Sequence, residues 1–302
     1  MQTTRALTVL SICLLLACGA PSPAFVETTP ATATEATSPP PSESFAMPQP
    51  VAEATDDPYA AIVAAADRTE DDRKLDAGRH PAELLAFIGL QPGMRVAELA
   101  AGGGYTTELL ARAVGPEGKV YGQNSPWLLQ RFAQAPWTAR LQRPVMRNVT
   151  RLDREFDAPF PDDVTDLDVV VNVLFYHDTF WLGVDRNKMN QAIFNALKPG
   201  GAYVIVDHSG RNGTLSTEVQ SLHRVEEKLV RDEILRAGFV LAQQGDFLRN
   251  ESDTRDWNAA PHAAGEQRGT SDRFVLKFIK PLPAAVETPD APQTASTGTA
   301  AP

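Results

Sequence analysis

An apolar run from Met94 to Ala100 passes through Ala101 into three consecutive glycines, Gly102-Gly103-Gly104, and a helical pattern takes over at Thr106. Strand, tight turn, helix is the unit this pattern specifies. Glycine alone turns the chain this sharply at little steric cost, and it lets a ligand come close to the peptide groups. The helix that follows starts with unpaired backbone N–H groups, which favour electronegative atoms. Taken alone, the same residues also suit a plain connection between a strand and a helix.

The alternation continues along the chain. Asp57 to Arg73 reads as a helix, and Pro81 to Ile88 as a short amphipathic helix opened by proline in its first turn. Thr106 to Val114 is a helix, Lys119 to Gly122 a second strand, and Trp127 to Ala133 the start of further helix. Pro144 to Val149 is expected as a short third strand. Leu167 to Leu174 is almost continuously apolar, as suits a central parallel strand covered on both faces. Arg186 to Leu197 is a helix stopped by Lys198-Pro199-Gly200-Gly201, and Ala202 to Val206 the next strand. Val219 to Ala237 reads as one long helix ending at Gly238. Phe239 to Phe247 and Arg273 to Lys280 are β-rich, with no helix between them. The expected fold is α/β: a doubly wound, mostly parallel seven-stranded sheet with an antiparallel edge strand.

Residues 58–281 suffice for one such domain. Residues 19–57, rich in Ala, Pro, Thr, Ser and Glu, bury too little apolar surface to order themselves and read as a disordered tether, as do 282–302 as a tail. Ahead of the tether, Arg5 precedes an apolar run from Ala6 to Leu16, shorter than the roughly 20 residues of a spanning helix, so it reads as a secretory signal. Its end, Leu15-Leu16-Ala17-Cys18, resembles the lipobox of bacterial lipoproteins. That resemblance implies a signal peptide over 1–18, lipidation at Cys18, and an exported chain held through its lipid on the periplasmic side of the inner or outer membrane. The chain has two cysteines, Cys13 and Cys18, so the domain has none for a disulfide or a thiolate metal site. The net charge is -10, with no basic block, which argues against nucleic acid as a partner.

The stretch Val96-Ala97-Glu98-Leu99-Ala100-Ala101-Gly102-Gly103-Gly104 resembles motif I of class I S-adenosylmethionine (SAM)-dependent methyltransferases, with Ala100 where glycine is usual. The Lys198-Pro199-Gly200-Gly201 loop before a strand, and Asp168 with Tyr176-His177-Asp178 around another, fall in the order of the same fold. A dinucleotide-binding Rossmann chain is the competing fold, but its glycines are offset and it does not predict the Lys-Pro-Gly-Gly loop. Leu222-His223-Arg224, Gly238-Phe239, Leu248-Arg249-Asn250 and Thr270-Ser271-Asp272-Arg273-Phe274 resemble a family of bacterial methyltransferases, many of them exported, with no established methyl acceptor.

The resemblance implies SAM as cofactor, with Glu98 fixing its methionine end and Ala100, Gly102, Gly103 and Gly104 shaping the turn. Asn124 stands where an acid usually takes the ribose hydroxyls, so Asn124→Asp is expected to tighten SAM binding. Asp153 follows the expected third strand, where an acid accepts from the adenine amine; Asp157 competes with it. His177, Tyr176 and His208 are the candidates for a proton-accepting role, at the strand ends where open α/β sheets bind ligands. His223 reads as a packing or surface residue on its helix, His262 has no assigned role, and no metal site is expected, since the His and Asp residues show no ligand spacing. Two functions follow: a SAM-dependent methyltransferase acting on a small molecule or other unknown methyl acceptor, or a non-catalytic chain of that fold binding a nucleoside-like ligand or a partner protein.

Overall fold

The computed structural model describes residues 57–283. The signal peptide, Cys18, almost all of the tether and most of the tail lie outside the described residues. Three helices, α1 (Pro58–Val63), α2 (Glu70–Arg79) and α3 (Pro81–Ile88), precede β1 (Arg95–Leu99). Next come α4 (Tyr105–Val114), β2 (Lys119–Asn124), α5 (Pro126–Leu128), a single π turn and α6 (Gln134–Leu141). Then follow β3 (Val149–Asp153), β4 (Leu167–Val173), α7 (Asp178–Trp181), α8 (Arg186–Ala196) and β5 (Leu197–His208). The chain closes with α9 (Val219–Leu222), α10 (Glu227–Arg236), β6 (Val240–Gly245) and β7 (Arg273–Ile279). Among the described residues no helix is long and apolar enough to cross a membrane.

The strands form one sheet in the order β3-β2-β1-β4-β5-β7-β6. β1 to β5 are parallel, and β7 runs antiparallel between β5 and the edge strand β6. Side chains of a strand alternate between faces, so the sheet has a core on each side. In β5, Tyr203 and Ile205 enter one core, while Ala202, Val204 and Val206 enter the other. In β1, Ala97 and Leu99 enter the first, and Val96 packs with Leu109 and Leu110 of α4 in the second. Glu98 shares the Val96 face.

Three boundaries differ from the sequence reading. The first helix breaks after Val63 and restarts at Glu70, where Thr69 caps it by accepting from the Asp72 N–H. The third strand is Val149–Asp153, and Pro144–Met146 is a 3₁₀ turn. Proline lacks the N–H that a ladder needs, and this one opens the turn instead. The long helix of 219–237 breaks in two at His223–Glu226. His223 takes a left-handed φ of 50°, and Val225 lies parallel to the end of β5: its N–H donates to His208 O at 3.1 Å and its carbonyl accepts from Gly210 at 2.8 Å. Glycine lets this crossing happen, since a Cβ at Gly210 would lie 2.9 Å from the Val225 carbonyl carbon. This bridge turns a helical residue into a loop residue at the sheet edge.

Candidate functional site

The order β2-β1-β4 reverses direction between β1 and β4, and open α/β sheets bind ligands outside the carboxyl ends of the strands at that point. Two groups of residues meet this edge. One is the glycine turn after β1; the other follows β4 and β5, its strand neighbours.

The turn is left-handed at Ala100 (φ 52°), Gly102 (φ 56°) and Gly104 (φ 84°). A Cβ on Gly104 would lie 2.5 Å from the Trp137 ring and 2.8 Å from Arg140 Cδ, so only glycine fits there. On Gly102 the nearest such neighbour would be Ala100 O at 3.9 Å, so a Cβ would meet no clash there. Arg140 clamps the turn from below: its Nε donates to Gly103 O at 2.6 Å, and its guanidinium pairs with Glu108 at 2.6 Å and Asp72 at 2.7 Å. Glu98 is buried at the start of the turn and accepts a hydrogen bond from the Thr107 hydroxyl. Burial pushes its carboxyl up to about 7, against the pull of the Thr107 and Thr106 hydroxyls and of Arg79 and Arg140.

The polar atoms next to the turn are turned inward. Gln123 Oε1 accepts from the Ala100 N–H at 3.2 Å. Asn124 Oδ1 accepts from the Gly102 N–H at 2.8 Å, and Asn124 Nδ2 donates to Gly102 O at 3.2 Å. Asn124 is fully buried. Its amide thus holds the glycine turn to β2, and both of its polar atoms are engaged. This reverses the expectation for Asn124→Asp. A carboxylate would set an oxygen against the Gly102 carbonyl where the amide nitrogen now donates. The expected outcome is a loss of about 1–3 kcal/mol of stability in urea denaturation, with no gain in SAM affinity. Asp153 ends β3 beside Asn124 in register, but its carboxylate is half-exposed and engaged by Arg151 Nε at 2.6 Å.

Behind β4 and β5 the sequence candidates separate. Tyr176 is fully buried in the core; its hydroxyl donates to Glu233 at 2.7 Å and accepts from Asn190 at 3.0 Å, and burial pushes it well above its ordinary value. The structure therefore removes Tyr176 from the proton-accepting candidates. His177 points the other way. Its Nδ1 lies 2.6 Å from Asp207 Oδ1, and its backbone N–H donates to Asp207 Oδ2 at 2.7 Å. Its Nε2 lies 3.2 Å from Asp178 Oδ1 and 3.2 Å from His223 Nδ1. Burial lowers the imidazole, but Asp207 and Asp178 override it and push the ring up to about 10. Such a ring holds its proton at neutral pH and is a poor general base. His208 bonds Ser271 Oγ at 2.7 Å, and burial with nearby cations holds it well below its ordinary value, so it is neutral.

Sequence reasoning missed Asp178 and Asp207 as partners of His177, and placed His223 on a helix face. The adjacency of Asp178 to His177 and of Asp207 to His208 was a usable signal; the third partner became visible only with the break at His223. His262 is exposed, its ring 6.2 Å from that of His223.

The family model of protein-L-isoaspartate(D-aspartate) O-methyltransferase matches residues 55–150, the part that carries the glycine turn. The ubiquinone/menaquinone biosynthesis C-methyltransferase of Shewanella sp. (strain ANA-3) is 23% identical over 176 residues, covering 58% of this chain and 61% of that protein. The chain thus spans less than two thirds of the length of the curated relatives it matches. Among solved structures, the [4+2]-cyclase SpnF superposes with a TM-score of 0.50 at 16% identity, over 68% of this chain and 85% of that one. A SAM-dependent methyltransferase from Aquifex aeolicus gives a TM-score of 0.49 at 18% identity, over 70% and 97%. The strand order, the placement of the glycine turn and the SpnF superposition give this chain the Rossmann-like fold of SAM-dependent methyltransferases. One of these structural relatives is named as a cyclase, so the fold by itself leaves the chemistry open.

Proposed function

We propose that the chain is a SAM-dependent methyltransferase acting on a small-molecule or other methyl acceptor. The observation that carries this is the glycine turn itself: it stands at the switch point of the sheet, left-handed at Gly102, where the nearest atom to the place of a Cβ is Ala100 O at 3.9 Å, with a buried carboxylate, Glu98, at its start. SAM fits these two features. When bound it supplies a methyl group on a sulfonium, and the chain's part is to orient the acceptor in line and exclude water. Glu98 would hold the ammonium of the methionine end, and Gly102 would admit the close approach of the ligand to the backbone.

One observation favours the second reading, a non-catalytic chain of this fold with a nucleoside-like ligand or a partner protein. The Ala100 and Gly102 amides are already bonded by Gln123 and Asn124, and no acid is offered to a ribose by Asn124. Calorimetry of the purified chain with SAM and with its demethylated product separates the two. Saturable binding of both, tighter for the product, is the expected result. Binding of neither at millimolar concentration would remove the enzyme reading.

We also propose that the domain works outside the cytoplasm, lipid-anchored through Cys18. The support is the Leu15-Leu16-Ala17-Cys18 ending of the N-terminal apolar run and the Pro/Thr-rich stretch that follows it. Metabolic labelling with a fatty-acid precursor is expected to mark the wild-type chain and leave Cys18→Ser unlabelled; an unlabelled wild type sinks the anchor.

A further inference from the structure

The atoms of His177, Asp178 and His223 that face one another form a nearly equilateral triangle. His177 Nε2 is 3.2 Å from Asp178 Oδ1 and 3.2 Å from His223 Nδ1, and His223 Nδ1 is 3.3 Å from Asp178 Oδ1. We propose that these two imidazole nitrogens and one carboxylate oxygen are a binding site for a single first-row divalent cation of the zinc type.

Three features of the triangle fit such a cation. The first is size. A cation with ligand bonds of about 2.0–2.1 Å holds tetrahedral ligand atoms about 3.3 Å apart and octahedral neighbours about 3 Å apart. The triangle falls in that range without movement of the side chains. The second is proton accounting. With its Nδ1 proton directed to Asp207, His177 presents Nε2 to the other two atoms, and a cation binds there by displacing the proton that Nε2 holds. Protons on Nε2 and on His223 Nδ1 would both turn to Asp178 Oδ1 and leave the two nitrogens, 3.2 Å apart, with no bond between them. A cation satisfies all three contacts at once.

The third is the surrounding shell. A metal-bound histidine typically donates its other ring N–H to a carboxylate, which fixes ring and tautomer. Asp207 is fully buried and does this for His177 while also accepting from the His177 and His208 backbone N–H groups. Trp181 Nε1 donates to Asp178 Oδ1 at 2.8 Å and steadies the carboxylate. The Asp178 and His223 side chains remain about one-fifth exposed, at 20% and 19%, while that of His177 is 4% exposed. The triangle is therefore anchored at its inner corner and reachable from its outer two. Two histidines and one carboxylate occupy three positions, which leaves at least one position for water or a ligand. The site stands apart from the methyl-transfer reading: it needs neither SAM nor the glycine turn.

The test uses the full chain, stripped with a chelator, dialysed, and titrated with Zn²⁺ by calorimetry, with the bound metal counted by elemental analysis. One equivalent per chain is expected. His223→Asn is the informative variant, because asparagine tolerates the left-handed backbone that His223 adopts. It should bind Zn²⁺ about a hundredfold more weakly at an unchanged near-UV circular dichroism spectrum, and Asp178→Asn should do the same. A wild type that takes up no Zn²⁺, or a His223→Asn chain that binds it as tightly as wild type, overturns the proposal. Because SAM binding is measured separately, failure here leaves the methyltransferase reading standing, and the reverse.

Discussion

Glu98→Gln is expected to make the protein more stable above pH 7, by about 3 kcal/mol, while weakening SAM binding. Burial raises the Glu98 carboxyl from its ordinary 4.5 to about 7 in the folded chain. Between those values the folded state holds a proton that the unfolded state has lost. Stability therefore falls as pH rises through this window, at about 1.4 kcal/mol for each pH unit. Below pH 4.5 both states are protonated and the glutamate carries no penalty; above pH 7 the full penalty applies. Glutamine cannot ionise, and its amide oxygen still accepts from Thr107. The difference in unfolding free energy between variant and wild type should be near zero at pH 4, grow from there to pH 7, and then stay level. Urea denaturation at several pH values measures it. A difference that does not change with pH sinks the claim.

The second half of that prediction decides what the carboxylate is for. A group held in the interior at a cost in stability, beside a ligand edge, is a candidate for function. If Glu98 meets the ammonium of the methionine end, the variant loses a charge-assisted hydrogen bond worth about 1.5–3 kcal/mol, or about ten- to a hundredfold in affinity. A more stable chain that binds SAM less well is the signature of a site residue. A more stable chain with unchanged binding would make Glu98 a structural remnant.

The mostly parallel α/β sheet and the glycine turn were legible because they rest on local patterns. The apolar run of β4 needs cover on both faces, and Gly102-Gly103-Gly104 permits a turn that few other residues allow. The expected antiparallel strand is also present, as β7, one place in from the edge that β6 forms. What periodicity could not show is where tertiary contacts override it. Val219 to Ala237 has a helical pattern throughout, yet the backbone of Val225 pairs with the end of β5 and breaks it. Nothing in the pattern signals this, because the partner lies in another strand and the deciding residue, Gly210, is remote in sequence. The same override hid the His177, Asp178 and His223 triangle: two ligand atoms come from adjacent residues, and the third arrives only through the break. Asn124 failed for a related reason. Its position in the motif was visible, but the direction its amide faces depends on the Gly102 peptide across the turn.

Arg224→Met is expected to cost about 3–5 kcal/mol, the range for breaking one partner of a buried ion pair. Arg224 and Asp253 are both fully buried at the side chain, 2.8 Å and 3.2 Å apart through two nitrogen–oxygen contacts. The guanidinium also donates to Trp257 O and Ser209 O, each at 3.1 Å, and lies over the Trp257 ring at 4.6 Å from its centroid. One side chain thus ties the end of β5, the break after α9 and the loop at 250–258 together. Methionine keeps the packing of the stem and leaves Asp253 as a buried charge with its remaining donors, the Arg255 and Asp272 N–H groups and Trp257 Nε1. Urea denaturation of Arg224→Met, Asp253→Asn and the double variant forms a cycle, and the double is expected to cost less than the sum of the singles. A cost below about 1 kcal/mol for Arg224→Met would show that the remaining donors alone satisfy Asp253. Because His223 immediately precedes the anchor, the same variant should also weaken Zn²⁺ binding, although Arg224 itself is no part of the triangle. That result would make Arg224 a positioning residue: the sequence Leu222-His223-Arg224 would then join a ligand to the group that holds it in place.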